Sequence, residues 1–180
     1  MHLFDGYWED IGTIKAFYEA NLSLAQHSPP FNFNDAEAPV YSRPRFLPPT
    51  LMEGAKVSGS LIADGCRIGE GAVIENSVVG LRCIIGENVV IKNSVLMGAD
   101  NYQTKAQDEA AASVGSPSLG IGSGSVVEGA ILDKNCRIGS NVRIVNDKGL
   151  MDDDTHEECP VRDGIPIVVK KAVLPDGWQL

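Results

Sequence analysis

Aromatic residues are scarce in this sequence, because Phe, Trp and Tyr make up only 6% of its 180 residues. A core must therefore be filled by aliphatic side chains. No apolar run approaches the roughly 20 residues needed to cross a bilayer. The N-terminus also lacks a basic segment followed by an apolar run. We therefore expect neither a membrane partner nor a signal peptide, and a cytoplasmic location.

Basic residues are outnumbered by acidic ones, with 15 Lys and Arg against 24 Asp and Glu and a formal net charge of −9. Sequence-independent binding to a phosphate backbone needs a basic surface, so no nucleic-acid partner is expected. A local basic site for a small anion is still compatible with this composition. The four cysteines, Cys66, Cys83, Cys136 and Cys159, form no CxxC pair. Neither a zinc site nor a redox motif is therefore predicted.

The N-terminal part of the sequence divides into two segments. Residues 1–27 predict a turn and one helix, with Thr13 as the N-cap. The helix would carry one apolar stripe, formed by Ile14, Phe17, Tyr18 and Leu22. Residues 28–50 contain six of the ten prolines and predict an extended linker, since proline fixes φ and removes a backbone donor.

From residue 51 onward the sequence repeats in units of six and five residues, such as IADGCR, IGEGAV and IENSV. Each unit begins with an aliphatic residue: Val57, Ile62, Ile68, Ile74, Val79, Ile85, Ile91, Ile121, Val127, Leu132, Ile138 and Ile144. Four places later a second inward residue is expected: Ala72, Val78, Cys83, Val89, Val95, Ser125 and Val142. Neither a helix nor a lone strand has this period, which is typical of hexapeptide repeats in a parallel β-helix.

Three such units make one triangular coil, and coils stack with their strands paired in parallel. Cys66, Cys83 and Cys136 each occupy the fifth place of a unit and are expected to be buried space-fillers. Cys66 and Cys83 fall in successive coils and should lie directly above one another. Residues 98–119 break the period as a polar excursion from one corner. Residues 147–163 carry an acid run and predict a solvated loop. The tail from residue 165 to 177 is strand-like and could cap the open end.

The segment GYWEDIGTIKAFYEANL resembles the end of the nucleotidyltransferase domain of glucose-1-phosphate adenylyltransferases of the bacterial, cyanobacterial and plant type. APVYSRPRFLPPT is similar to that family's linker. SVVGLR, SVLMGAD, AILDKNCRIG and GIPIVVKKAVLPDG resemble its β-helix blocks, in the family's order. The resemblance implies an all-β, left-handed parallel β-helix at 51–180, preceded by a helical remnant of the nucleotidyltransferase domain at 1–27 and a linker at 28–50.

The family joins ATP and glucose 1-phosphate to give ADP-glucose and pyrophosphate, the activated-sugar step of glycogen or starch synthesis. These 180 residues contain no glycine-rich phosphate loop, so we expect a regulatory and oligomerisation region that is inactive alone, with no catalytic residue of its own. The resemblance further implies a homo- or hetero-tetramer, and a plastid location if the source is a plant.

Asp10 matches a family carboxylate implied to hold Mg²⁺ beside the nucleotide phosphates. Mg²⁺ prefers hard oxygen ligands, usually one or two carboxylates with substrate phosphates and waters. The alternative is that Asp10 merely precedes a helix and favours its positive N-terminus.

Arg82, Lys134 and Lys170 match family positions implied in binding an anionic metabolite effector, such as a phosphorylated intermediate or phosphate itself. Arginine grips phosphate with two parallel hydrogen bonds, and lysine supplies a mobile point charge. Arg43 and Arg45, in the linker, are further candidates. The alternative is that these cations are solvated outward corners of the coil, which also applies to Lys171.

The histidines bear on two other functions of hexapeptide-repeat proteins. A hexapeptide acyltransferase needs a general-base histidine close to the coil, and a β-helix carbonic anhydrase needs a histidine cluster. The three histidines, His2, His27 and His156, lie outside the repeats, which counts against both functions. Another sugar nucleotidyltransferase, or a purely structural β-helix, stays open.

Overall fold

Helix α1, Ile14–Ser23, begins where the sequence predicts it. The computed structural model describes residues 3–33 and 35–180, so His2 lies outside the described residues. The Thr13 hydroxyl accepts a hydrogen bond from the Ala16 amide at 3.1 Å, which satisfies one free donor of the first turn. Residues 28–33 and 35–50 contain neither helix nor strand.

From residue 51 onward the chain winds into a parallel β-helix whose three walls are sheets of short stacked strands. The first sheet contains β1 (Leu51–Met52), β4 (Arg67–Ile68), β7 (Ile84–Ile85), β10 (Gly120–Ile121), β13 (Arg137–Ile138) and β17 (Val173–Leu174). The second contains β2 (Lys56–Ser58), β5 (Val73–Glu75), β8 (Val90–Lys92), β11 (Val126–Glu128) and β14 (Arg143–Val145). The third contains β3 (Leu61–Ile62), β6 (Val78–Val79), β9 (Val95–Leu96), β12 (Ile131–Leu132), β16 (Ile165–Val168) and, antiparallel to β16, β15 (Val161–Arg162).

The register of the coils survives both interruptions of the repeat. From β2 onward the uninterrupted coils have a constant spacing, as where Ile68 pairs with Ile85, a separation of 85 − 68 = 17. The first step is one residue shorter, because Leu51 pairs with Arg67, a separation of 67 − 51 = 16. Ile85 pairs with Ile121, a separation of 121 − 85 = 36, so the first excursion makes its coil more than twice as long. Ile131 pairs with Ile167, a separation of 167 − 131 = 36, so the acidic loop at 147–163, the second excursion, lengthens its coil equally. Both excursions therefore leave the pairing of the coils intact.

The aliphatic residues that begin each unit form the core, as predicted. From Ile68 onward every one of the ten is buried: Ile68, Ile74, Val79, Ile85, Ile91, Ile121, Val127, Leu132, Ile138 and Ile144. Val57, on β2, is 38% exposed and Ile62, on β3, is half-buried. These two lie in the first coil, whose strands each pair with one neighbour, so their side chains have partners on one side only.

The predicted inward positions at Val78 and Val95 are wrong. Both valines face outward from the third sheet and, with Ile131 and Ile165, pack against Leu22 and its neighbours on α1. Because side chains alternate along a strand, an inward Val79 sends Val78 to the outer face. The inward place is held instead by the residue before each valine, Ser77 or Ser94, and both serines are fully buried.

The buried serines satisfy their own polar groups. The Ser77 hydroxyl donates to the Glu75 carbonyl at 2.7 Å and accepts from the Ser94 amide at 3.1 Å. The Ser94 hydroxyl donates to the Lys92 carbonyl at 2.7 Å and accepts from the Ala130 amide at 3.2 Å. A small hydroxyl can therefore occupy this corner of the core, because its donor and acceptor both have partners.

Cys66, Cys83 and Cys136 are buried, as predicted, and Cys159 is buried too. All four are free thiols. The Arg67 amide donates to the Cys83 carbonyl at 2.9 Å, and this bond places Cys66 and Cys83 at equivalent positions on neighbouring coils. Burial raises the pKa of Cys136 to about 12 and that of Cys159 to about 12, which keeps both in the unreactive thiol form.

The excursions contain structure that the repeat does not predict. The first forms a second helix, α2 (Lys105–Ser113), which begins with a capping box between Thr104 and Gln107. The second has an exposed acidic stretch, but it is anchored by Cys159 and Val161, both fully buried.

The tail does more than cap the open end, because β16 and β17 continue the coil. Trp178 and Leu180 then pack against the core. None of the described helices is both long and apolar enough for a membrane span.

Candidate anion-binding site

Lys134 and Lys170 lie on neighbouring coils at one corner of the β-helix. Lys134 follows the end of β12, and Lys170 follows the end of β16 at the same distance. Leu132 pairs with Val168, so the two lysines occupy equivalent places in their coils. The Lys171 amide donates to the Lys134 carbonyl at 3.0 Å, which holds the two turns together. The two lysines, although far apart in the sequence, are therefore only one coil apart along the axis of the β-helix.

Arg82 lies at the same corner, two coils before Lys134. It follows β6, whose Val79 pairs with Leu96 in β9, and Leu96 pairs in turn with Leu132. The coil that carries Ala99 therefore separates Arg82 from Lys134.

Arg82 adopts a left-handed backbone at this corner, with φ +60. Asn135 and Lys171 occupy the matching places two and three coils further on, each with φ +65. These equal angles are a second sign that the three residues hold equivalent positions in their coils.

Asp100, at the start of the first excursion, brings a carboxylate to this corner. Its Oδ1 accepts from Lys134 Nζ at 3.2 Å, and its Oδ2 accepts from Asn135 Nδ2 at 2.8 Å. Its backbone amide donates to Asn135 Oδ1 at 2.9 Å, so Asp100 and Asn135 are joined by a pair of hydrogen bonds. The side chains of Lys134 and Asp100 are 42% and 43% exposed, so solvent reaches the pair.

Arg82 is held by the same excursion. Its Nη1 donates to the Ala99 carbonyl at 3.3 Å, and its guanidinium lies over the Tyr102 ring, 5.8 Å from the ring centroid. The Tyr102 hydroxyl donates to the Gly65 carbonyl at 2.9 Å, which fixes the ring against the coil. Residues 99–102 therefore contact the Arg82 side chain and, through Asp100, Lys134.

The groups around Asp100 stabilise the negative charge of its carboxylate. The hydrogen bond from Asn135, then the hydrogen bond from Lys134, lower the pKa of the Asp100 carboxyl, and the charge of Lys170 lowers it further. A lowered pKa means that Asp100 is ionised at neutral pH. Among residues 3–33 and 35–180, Lys170 has no ion pair of its own, so its charge is not neutralised by a contact.

A groove between α2 and the first sheet adjoins this corner, and Asp100 and Arg137 are among its lining residues. Gln103 Oε1 accepts from the Leu119 amide at 2.6 Å and from Arg137 Nη1 at 3.4 Å. Arg137 Nη1 also donates to the Pro117 carbonyl at 2.8 Å. These bonds join the two arms of the excursion to each other and to β13.

Asp10 is in the segment before α1, and no contact among the described residues joins it to this corner. It is exposed, and its Oδ1 accepts from the Gly12 amide at 2.9 Å. The described residues bring together no group of three or more His, Cys, Asp or Glu side chains suited to a metal ion. Asp10 can therefore supply one carboxylate to Mg²⁺, which is enough only where substrate phosphates and waters complete the shell.

The two linker arginines are not brought to the corner by any contact among the described residues. Arg43 and Arg45 are exposed, and Arg45 Nη1 donates to the Arg43 carbonyl at 3.5 Å. They therefore stay candidates on sequence grounds alone.

The structure thus brings Arg82, Lys134 and Lys170 to one corner and adds Asp100, Tyr102 and Asn135, which sequence reasoning missed. Asn135 could have been found from the sequence, because its distance from Arg82, 135 − 82 = 53, equals one plain coil of 17 and one interrupted coil of 36. The positions of Asp100 and Tyr102 depend on how the excursion folds, which the period does not indicate.

A comparison with protein families supports the architecture. The family model described as "GLGC left-handed parallel beta-helix domain" matches residues 45–178, about three quarters of the chain. Its description gives the hand of the coil as left-handed, in agreement with the sequence-based expectation. The match contains Arg82, Lys134 and Lys170 and begins after Asp10.

Proposed function

The chain belongs to the GLGC left-handed parallel β-helix family, the C-terminal part of glucose-1-phosphate adenylyltransferase, and we propose that it is the regulatory and assembly region of such an enzyme. The parent reaction would join ATP and glucose 1-phosphate to give ADP-glucose and pyrophosphate, in glycogen or starch synthesis. Nucleotide and sugar phosphate would be bound by another domain, so these 180 residues would not catalyse it alone. A cytoplasmic or plastid location is part of the same proposal.

The observation that carries the regulatory part is the cluster of Arg82, Lys134 and Lys170 on a protein with a net charge of −9. Cations on an acidic surface are expected to be dispersed or paired with carboxylates. Here three of them lie at one corner, where they follow β6, β12 and β16. Among the described residues, Asp100 alone forms an ion pair with any of the three. Such a corner suits a small anion with several oxygens, so we propose a phosphorylated metabolite or phosphate itself as the effector.

Replacing Lys134 and Lys170 together with alanine tests this role in the enzyme that carries this region. The double variant should need at least about tenfold more effector for half-maximal response, because charged hydrogen bonds contribute about 1.5–3 kcal/mol each. Activity without effector should be unchanged. The measurement is the initial rate of ADP-glucose synthesis across an effector titration.

The matched control for that experiment is Lys105→Ala. Lys105 lies on α2, its side chain is 91% exposed, and its removal subtracts one positive charge away from the corner. The control should respond to the effector as the unaltered enzyme does. An unchanged half-effect concentration in the double variant would remove the anion site from this corner.

We also propose that Asp10 is a Mg²⁺ ligand in that enzyme. When bound, the metal would offset the negative charge that develops as pyrophosphate leaves. Support for this comes from the resemblance of YWEDIGT to the family's block and from the exposure of the carboxylate.

Asp10→Asn should lower turnover at least about tenfold at limiting Mg²⁺, since loss of a metal-site residue typically costs about 10–100-fold. The adjacent, exposed Glu9 provides the control variant, Glu9→Gln, which should retain normal turnover. The rate is measured as a function of Mg²⁺ concentration. A Mg²⁺ dependence that is the same in Asp10→Asn and the unaltered enzyme would show that Asp10 is not a ligand.

An assembly role is supported by the open end of the first coil. Leu51 and Met52 on β1 are 51% and 50% exposed, and Val57 and Leu61 add more apolar surface there. Exposed apolar side chains at the end of a coil suit a protein–protein contact. We therefore propose that this end takes part in the homo- or hetero-tetramer implied by the family resemblance.

A further inference from the structure

A carboxylate of the chain itself already occupies the cationic corner. Both oxygens of Asp100 are bound, one by Lys134 Nζ at 3.2 Å and the other by Asn135 Nδ2 at 2.8 Å. The backbone amide of Asp100 is also bound, by Asn135 Oδ1 at 2.9 Å. Asp100 thus makes the contacts that an external oxyanion would make with these two side chains.

The positive charges at this corner outnumber the negative charge of Asp100. Arg82, Lys134 and Lys170 carry three positive charges, and Asp100 supplies one negative charge to them. A phosphate monoester carries a charge of about −1.5 to −2 at neutral pH and presents three acceptor oxygens. It therefore matches the corner better than one carboxylate does, in both charge and number of acceptors.

An external dianion and Asp100 compete for the same cations. Two anions that share a site repel each other, which disfavours the ionised form of either. Asp100 is on the excursion, whereas the cations are on the coil, so the carboxylate can leave without disturbing the ladder. The backbone hydrogen bond from the Asn135 amide to the Gly98 carbonyl, at 3.0 Å, does not involve the carboxylate and remains when the carboxylate leaves.

We propose that Asp100 determines the affinity of this corner for anions, because a phosphate-bearing ligand binds in exchange for the Asp100 carboxylate on Lys134 and Asn135. The inference rests on the anion site of the proposed function. It adds that the chain contains its own competitor for the ligand, and that ligand binding releases Asp100 from Asn135.

The test compares inorganic phosphate binding by the 180-residue chain and its variants, using titration calorimetry at fixed ionic strength. Asp100→Asn should bind phosphate about two- to fivefold more tightly than the unaltered chain, the range expected for removing a competing exposed ion pair. Asp100→Ala gives the same comparison without an amide at the site. Glu109→Gln is the matched control, because it removes one negative charge from the same excursion at a residue paired with Lys105.

A second readout follows the ligand exchange directly. Hydrogen exchange of the Asp100 backbone amide should become faster when phosphate binds the unaltered chain, because its acceptor is Asn135 Oδ1. Slower exchange of that amide, or equal phosphate affinity in the unaltered chain and both Asp100 variants, would overturn the competition while leaving the anion site in place. Phosphate binding that survives in Lys134→Ala with Lys170→Ala, or that is absent from every variant, would instead overturn the anion site itself.

Discussion

Replacing Gly98 with alanine is expected to lower the free energy of unfolding by about 3 kcal/mol or more, or to prevent folding. Gly98 lies at the corner where the chain leaves its coil for the first excursion, and it adopts φ +83. A Cβ built there would lie 2.8 Å from the Leu81 amide nitrogen and would clash with the Leu81 carbonyl oxygen. Both atoms belong to the backbone of the neighbouring coil, which cannot move aside alone. Chemical denaturation followed by circular dichroism measures the effect.

Gly115→Ala separates the steric clash from the cost of the backbone angle. Gly115 lies after α2, adopts φ +70, and would place a new Cβ with no atom within 4 Å. Its substitution should cost only about 1–2 kcal/mol, the penalty of a left-handed alanine. A Gly98→Ala protein as stable as Gly115→Ala would show that the coils at this point are not in close contact.

Replacing Ile91 with alanine should lower the free energy of unfolding by about 2–5 kcal/mol. Ile91 is fully buried on β8, with Ile74 on one side and Val127 on the other. Removing its side chain leaves a cavity in the middle of the stack, where both neighbouring coils are held by their own pairing and cannot close the gap. Thermal or urea unfolding monitored by circular dichroism provides the measurement.

Val173→Ala serves as the control for that core substitution. Val173 is also on a strand, β17, but it is 39% exposed. Its truncation should change stability by less than about 1 kcal/mol, since little apolar area is lost from the interior. Equal losses at Ile91 and Val173 would contradict a core concentrated on the coil axis.

The core was predictable from the sequence because the period of six and five residues determines which aliphatic side chains point inward. Ile68, Ile85 and Ile138 lie where that period puts them. The second inward position was harder to predict, because a five-residue unit shifts the alternation by one place. The period assigns Val78 and Val95 to the interior for this reason, whereas the structure places them under α1.

The excursions were less predictable than the coils, since no repeat governs them. Helix α2 could have been recognised from Thr104 and Gln107, which have the spacing of a capping box before an alanine-rich run. The corner could be assembled by counting coils, because Lys134 and Lys170 are separated by one interrupted coil. The position of Asp100 could not, because it depends on hydrogen bonds between the excursion and Asn135.

Helix α1 lies across the outer face of the third sheet, against Val78, Val95, Ile131 and Ile165 on four successive coils. Two of the strands beneath it, β12 and β16, run directly on to Lys134 and Lys170. The cationic corner and the surface that contacts α1 therefore lie at opposite ends of the same short segments. Any tilt of those segments at the corner is also a tilt of the surface that supports α1, so the fold contains a short mechanical connection between its basic edge and its N-terminal region.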